Sequence, residues 1–316
     1  MLITGDGDFQ GMLSGGCLEG DLAERARMVL QSGLPQVVTY DLGKNDEELW
    51  GLGVGCDGLM RIFLQPLLPE SGYEPFATMA RAFGGVTEQV AATVIESDCD
   101  DLRPGETIVT IDGNVGYSNV SDVYSRGLDV EIAITLQARR SEYREIATKS
   151  GTARLLFSLL MPPPAILVLG AGLDAGPVVR FASELGWRVT VQDHRSAYIE
   201  SGKFLLADQV HCVPVAKLAQ VIDFADYAAA IVMSHHLSSD REYLRQLARS
   251  SIAYVGLLGP IDRRNRLLAE IGDDAKNLAE RVHGPAGLKI GGRGPASIAL
   301  SIIAEIHQEL LRESPA

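Results

Sequence analysis

A length of 316 residues suggests two domains at roughly 150 residues each, and 46% hydrophobic residues with 33 glycines suit an α/β protein rich in tight turns. The formal charge of −13 argues against nucleic acid and anionic membrane as partners, because both require a basic surface. No apolar run approaches a membrane span, and MLITGDGDFQ is not a signal peptide. The scattered cysteines (Cys17, Cys56, Cys99, Cys212) form no CxxC pair and read as reduced thiols of a cytoplasmic protein. All histidines follow residue 190, which rules out a histidine-based metal site in the first half.

The first residues alternate into Asp6-Gly7, a turn signal, and Gly11-Met12-Leu13 resumes a strand, so the chain reads as entering its first domain partway. Ser14-Gly15-Gly16-Cys17 then opens a helix carrying Leu18, Leu22, Ala26, Val29 and Leu30, stopped by Gly33 and Pro35. A thiol at such a helix start has its pKa lowered by the dipole, while Glu19 and Asp21 oppose that. Cys17 is either a reactive thiolate or a small packed side chain, and the spacing leaves both open. Strands are expected at Val37–Tyr40 and Leu59–Leu64. Between them Gly51 to Gly58 places Cys56 at a second glycine turn.

A helix is expected around Tyr73–Phe83, and strands at Val90–Ile95, Thr107–Ile111, Ala133–Ala138 and Ala153–Leu160. The stretch IVTIDGNVGYSNVSD echoes LITGDGDFQGMLSGG as a faint internal repeat of strand, Asp-Gly turn and strand. Pro162-Pro163-Pro164 is a stiff linker, dividing an N-terminal α+β domain with a mixed sheet (1–161) from a C-terminal domain (162–316).

The second domain opens on PAILVLGAGLDAGPVVRFASELGWRVTVQDHR. A doubly buried strand (Ile166–Leu169) runs into Gly170-Ala171-Gly172, a helix follows, and a second strand ends in Asp193 about 20 residues on, as the dinucleotide-binding fingerprint asks. Gly170 makes the tight turn, Gly172 admits a pyrophosphate, and the helix N-terminus offers free N–H groups. The alternation continues with strands at Gln209–Val213, Tyr227–Met233 and Ile252–Leu258 and helices at Val215–Ile222 and Arg241–Arg249. The last helix begins at Pro295 and places Ile298, Ile302, Ile306 and Leu310 on one face. The fold class is therefore α/β, a Rossmann-like parallel sheet behind an α+β domain.

In an open parallel sheet the ligand lies beyond the carboxyl ends of the strands. Arg195, Arg263 and Arg293 at that edge of an acidic protein suggest an anionic ligand, since guanidinium forks match phosphate oxygens. The charges at 262–266 also suit a solvated helix face. His235 and Asp240 are either an acid–base pair or hydrogen-bonded structural groups.

These pieces resemble the xanthine dehydrogenase accessory factors, the XdhC/CoxI family. The matching stretches are SGGCLEG (14–20), GLGVGCDG (51–58), GAGLDAG with QDHR (170–195), MSHHLSSD (233–240), YVGLLGPIDRR (254–264) and GPAGLKIGGRGPASIALSIIAEI (284–306). The resemblance implies a dimeric cytoplasmic protein that binds molybdenum cofactor, as molybdopterin or its dinucleotide form. It further implies that the protein brings the cofactor to a sulfurating cysteine desulfurase and helps insert it into xanthine dehydrogenase or a related molybdenum hydroxylase. Cys17, with Gly15 and Gly16, would face the molybdenum or its sulfur, with Cys56 as a second candidate. Gly170, Gly172, Asp193, Arg195, His235, Asp240, Arg263 and Arg293 would hold the remainder. The chain departs from the family where Leu173-Asp174 replaces a frequent histidine after GAG, and where Gly294 replaces a threonine. The alternative is an NAD(P)-dependent oxidoreductase, and a third option is a scaffold that only bridges partners.

Overall fold

The computed structural model describes residues 1–16, 18–41 and 59–310, the side chains at 122, 123 and 126 excepted. It divides into two compact units, Met1–Pro162 and Pro163–Ala316.

In the first unit, β1 (Leu2–Ile3) and β2 (Phe9–Gln10) form an antiparallel hairpin, followed by α1 (Glu19–Ser32) and the antiparallel pair β3 (Gln36–Asp41) and β4 (Leu59–Leu64). Helix α1 buries Leu22, Ala26 and Val29 at helical spacing and ends at Gly33, whose φ of 66° is the left-handed cap that glycine adopts at least cost. After α2 (Phe76–Gly84) come β5 (Gln89–Ser97), β6 (Thr107–Ile111), β7 (Asn114–Ser118), α3 (Asp122–Ala138), β8 (Glu142–Ala147) and β9 (Thr152–Leu160). Their sheet has the order β7-β6-β5-β9-β8. Every strand pair among the described residues of this unit is antiparallel. The repeat seen in sequence corresponds to two hairpins, β1–β2 and β6–β7. Each is followed by a helix and a further antiparallel pair.

Three expectations are corrected here. The N-terminal sheet expected to be mixed is antiparallel at every described strand pair, because its strands follow one another through hairpins and a returning helix rather than parallel crossovers. Residues 133–138 are not a strand but the last turns of α3. Leu128, Ile132 and Thr135 lie four and three residues apart, and all are buried on one helical face. A six-residue window containing Ile134 and Thr135 shows the β-branched character and hides that longer period. The strand expected at Gly11–Leu13 stops at Gln10, because the N–H groups of Leu13 and Ser14 turn toward Glu19 instead of a neighbouring strand.

The second unit contains β10 (Ala165–Leu169), α4 (Ala175–Glu184), β11 (Arg188–Gln192), α5 (Ser196–Gly202), β12 (Gln209–His211), β13 (Ala229–Val232), α6 (Leu237–Ala248), β14 (Tyr254–Leu257), α7 (Ile261–Ile271), β15 (Val282–His283) and α8 (Pro295–Leu310). The six strands are parallel in the order β12-β11-β10-β13-β14-β15. That is the doubly wound Rossmann arrangement, with its switch point between β10 and β13. Ile166 and Val168 pack on one face with Val178, Val179, Ile302 and Ile306. Leu167 and Leu169 pack on the other with Leu218, Tyr243 and Leu247. Each such side chain contributes about 1.5–3 kcal/mol when buried, which is why the strand reads as an unbroken apolar run. The helix expected at Val215–Ile222 is a 3-10 stretch, Val215–Gln220, capped by Pro214. Among the described residues no helix is long and apolar enough to cross a membrane.

Candidate functional site

The edge of interest lies at the carboxyl ends of β10 and β13. Gly170 ends β10 with φ +127°, and a Cβ there would stand 2.6 Å from the backbone of Met233 and Ser234. Only glycine lets the two strand ends come this close.

Asp193 lies at the end of β11 and is 0% exposed. Its Oδ2 accepts the Ala171 N–H (2.9 Å) and Arg195 Nη2 (2.7 Å), and its Oδ1 accepts the Arg195 N–H and Nε (both 2.9 Å). Burial by itself pushes this carboxyl up. The Arg195 guanidinium and the two backbone N–H groups outweigh burial and hold it below the usual carboxylate range. Asp193 therefore fastens the glycine turn to β11 and has no lone pair aimed at a ribose. Arg195 is spent as well, since it also reaches the Ser234 carbonyl (3.2 Å) and lies 3.9 Å from the Tyr198 ring centroid.

The donors that remain are in the backbone. The N–H groups of Gly172, Leu173 and Asp174, just ahead of α4, find no acceptor among the described residues. Three N–H groups without acceptors at a helix start are donors of the kind that bind anions. Leu173 beside them is 91% exposed.

His235 and Asp240 do not form the acid–base pair that the sequence suggested. Asp240 is buried, accepts the Ser234 hydroxyl and binds Arg263 Nη2 at 2.6 Å. Gly259 (φ +120°) leaves the room that Arg263 fills, since a Cβ there would stand 2.6 Å from its Cδ. His235 instead reaches Asp174, with Nε2 3.0 Å from Oδ2. Asp240 lies six positions after Ser234 and five after His235, so the local fold of the loop, not sequence proximity, chooses the partners. Arg263 is thus a structural cation here.

Arg293 is exposed and makes no ion pair or hydrogen bond among the described residues, and Lys289 is likewise free. Both sit in the loop between β15 and α8, where a cleft of ≈ 470 Å³ is lined by Gly287, Lys289, Gly291, Gly292, Ser297 and Ser301. A larger recess of ≈ 730 Å³ lies near Ile222 and Arg249, at the amino ends of β13 and β14 and so at the opposite edge from this chemistry.

In the first unit, Gly15 (φ +73°) and Gly16 (φ +109°) form the turn before α1. Glu19 gathers it. Its Oε1 accepts the N–H groups of Leu13 (3.0 Å) and Ser14 (2.9 Å), and its Oε2 those of Gly16 (3.0 Å) and Leu18 (3.1 Å) together with the Ser14 hydroxyl (2.7 Å). The Ser14 N–H and hydroxyl lead the donors that hold its carboxyl down to about 2. Sequence reasoning saw Glu19 only as a charge opposing a thiolate. The available signal was an acidic residue three positions after a glycine pair, where loop N–H groups need an acceptor. Cys17 and Cys56 lie outside the described residues. Among those described, no group of three or more His, Cys, Asp or Glu side chains is placed to hold a metal ion.

Comparison with known proteins covers nearly the whole chain. The family described as the XdhC Rossmann domain matches residues 166–306, and the XdhC and CoxI family matches residues 1–41. A protein of Bacillus subtilis (strain 168), named as a probable component of xanthine dehydrogenase, is 29% identical over 310 residues, 98% of this chain and 86% of that protein. The "Uncharacterized protein YqeB" of Escherichia coli (strain K12) is 25% identical over 260 residues, 79% of this chain and 46% of its own. A crystal structure described as a xanthine dehydrogenase from Bacillus halodurans superposes with a TM-score of 0.74 at 26% identity, covering 99% of this chain and 86% of that one.

Proposed function

The chain belongs to the XdhC and CoxI family, and from that premise we propose that it is an accessory protein of xanthine dehydrogenase or a related molybdenum hydroxylase, binding molybdenum cofactor for its sulfuration and insertion. The observation that carries this reading is at the glycine turn. Three backbone donors are kept free for an anion, while the carboxylate that would read a ribose is consumed inside the fold.

Those residues suit the phosphate of a pterin cofactor or the diphosphate of its dinucleotide form. The N–H groups of Gly172, Leu173 and Asp174 would hold it, with Arg293 and Lys289 as two exposed cations of the same unit that have no partner among the described residues. When bound, the cofactor supplies a thiophilic molybdenum centre, which gives a thiol such as Cys17 a sulfur-transfer or protective role. A cysteine desulfurase as the sulfur source, a homodimer and a cytoplasmic setting belong to the same proposal.

The NAD(P)-dependent oxidoreductase reading needs Asp193 turned toward a ribose, and its four hydrogen bonds to Ala171 and Arg195 oppose that. The test is reconstitution of an apo molybdenum hydroxylase with and without this protein, repeated with Cys17→Ala. Faster recovery of activity with the wild-type chain, and its loss in the variant, are expected. Saturable NADH binding with hydride transfer, and no retention of molybdenum cofactor, would overturn the proposal.

A further inference from the structure

The loops that end β10 and β13 are joined by one side-chain contact, His235 Nε2 to Asp174 Oδ2 at 3.0 Å. His235 holds a left-handed backbone (φ +60°), uncommon for a residue with a Cβ. Its ring lies over Gly172, with Cδ2 3.8 Å from the place a Cβ on that glycine would take. The bare face of Gly172 is thus shielded by an imidazole tied to the carboxylate of Asp174. Asp174 also carries one of the three unpaired N–H groups, so its charge stands beside any anion those donors accept.

We propose that Asp174 and His235 form a strap across the glycine turn that sets its affinity for phosphate-bearing ligands; this rests on reading the turn as the cofactor's anion site. The charged groups facing the strap are already committed, Asp193 to Arg195 and Asp240 to Arg263. His194 Nδ1 stands 3.5 Å from Asp193 Oδ1, and the His236 ring is held by Ser238 and Ser239. Among the described residues His235 is therefore the neighbouring imidazole free to exchange Asp174 for a phosphate. Its side chain is 57% exposed and that of Asp174 26%, so the contact can part without disturbing the core. A phosphate that takes the imidazole from Asp174 gains a donor, while the carboxylate left beside it repels the anion and lowers the affinity. Reclosure opposes retention and favours release, which suits a protein that hands its cargo on.

The test uses the full chain and two ligands. Inorganic pyrophosphate probes the strap without a pterin. Asp174→Asn is expected to bind it about tenfold tighter than wild type, the scale of one partly screened like-charge contact. His235→Ala, which leaves Asp174 unpartnered, is expected to bind several-fold more weakly. That deficit should shrink when Asp174→Asn is added, a coupling that a merely structural histidine would not give. Equal or weaker pyrophosphate binding by Asp174→Asn, or no detectable binding, overturns the strap. Isolated molybdenum cofactor, offered to the same proteins, tests the functional reading separately. Failure of all of them to retain it refutes that reading, while the pyrophosphate series still decides the strap.

Discussion

The Tyr254 hydroxyl donates to Glu305 Oε2 at 2.6 Å, and the same oxygen accepts the Gly287 N–H at 2.7 Å. A single carboxylate on α8 thereby ties the end of the sheet to the loop that bears Lys289 and Arg293. The His283 ring stacks on Tyr254 with centroids 4.4 Å apart and stands 3.8 Å from Glu305 Oε1. Burial, reinforced by Glu305, pushes the Tyr254 hydroxyl well above the usual tyrosine range, so it remains a donor throughout the physiological range.

Replacing Glu305 with Ala leaves the Tyr254 hydroxyl and the Gly287 N–H without their acceptor. We expect a loss of about 2 kcal/mol and faster proteolytic cleavage in the Gly284–Gly294 loop than elsewhere in the second unit. Limited proteolysis with mass mapping reads this, and unchanged cleavage would show that the loop is anchored by other contacts.

Gly170→Ala places a methyl 2.6 Å from the backbone of Met233 and Ser234 at φ +127°. The strain and forced separation of β10 from the β13 end should cost about 2 kcal/mol or more. Gly172→Ala meets only ordinary contact at 3.8 Å, so its melting temperature should stay near wild type while anion binding weakens. Thermal melts of both variants separate the two roles.

Asp193→Ala removes four accepted hydrogen bonds and strands part of the Arg195 guanidinium. A destabilisation of about 3 kcal/mol is expected from breaking such a pair, visible as a lower denaturation midpoint of the second unit. Because the folded carboxyl is held below its unfolded value, its contribution is complete above the unfolded pKa and fades as pH falls through the folded one.

Glu19 follows the same sign. Its carboxyl moves from 4.5 to about 2 on folding, so it stabilises the 13–18 turn fully above pH 4.5 and loses that hold as pH falls toward 2. Carboxyl carbon-13 titration should place its midpoint near 2. In Glu19→Gln the Gly16 and Leu18 amides should exchange faster at neutral pH, and equal exchange rates would mean that the turn closes without the carboxylate.

The centre of the parallel sheet was legible because β10, β11, β13 and β14 are short runs buried almost throughout, whereas the edge strand β15, two residues long, carries no such pattern. The glycine turn was legible because a tight turn with positive φ leaves glycine little competition. Helix α3 defeats a local reading, since Ile134 and Thr135 carry strand character in a short window. Only the burial of Leu128, Ile132 and Thr135 on one face reveals the helical period. The partners of charged side chains were mostly hidden. Asp193, placed by its spacing as a ligand group, turns inward to Ala171 and Arg195, and Glu19 is the centre of its own turn.

By itself the sequence determined the α/β order of the second unit, its glycine turn and the motifs shared with the family, because apolar period and backbone permissiveness are written residue by residue. Tertiary structure alone decided which charges are spent and which donors stay open. A contact such as His235 with Asp174 spans 61 residues of chain. Its existence depends on where two strands end in space, and no local pattern encodes that.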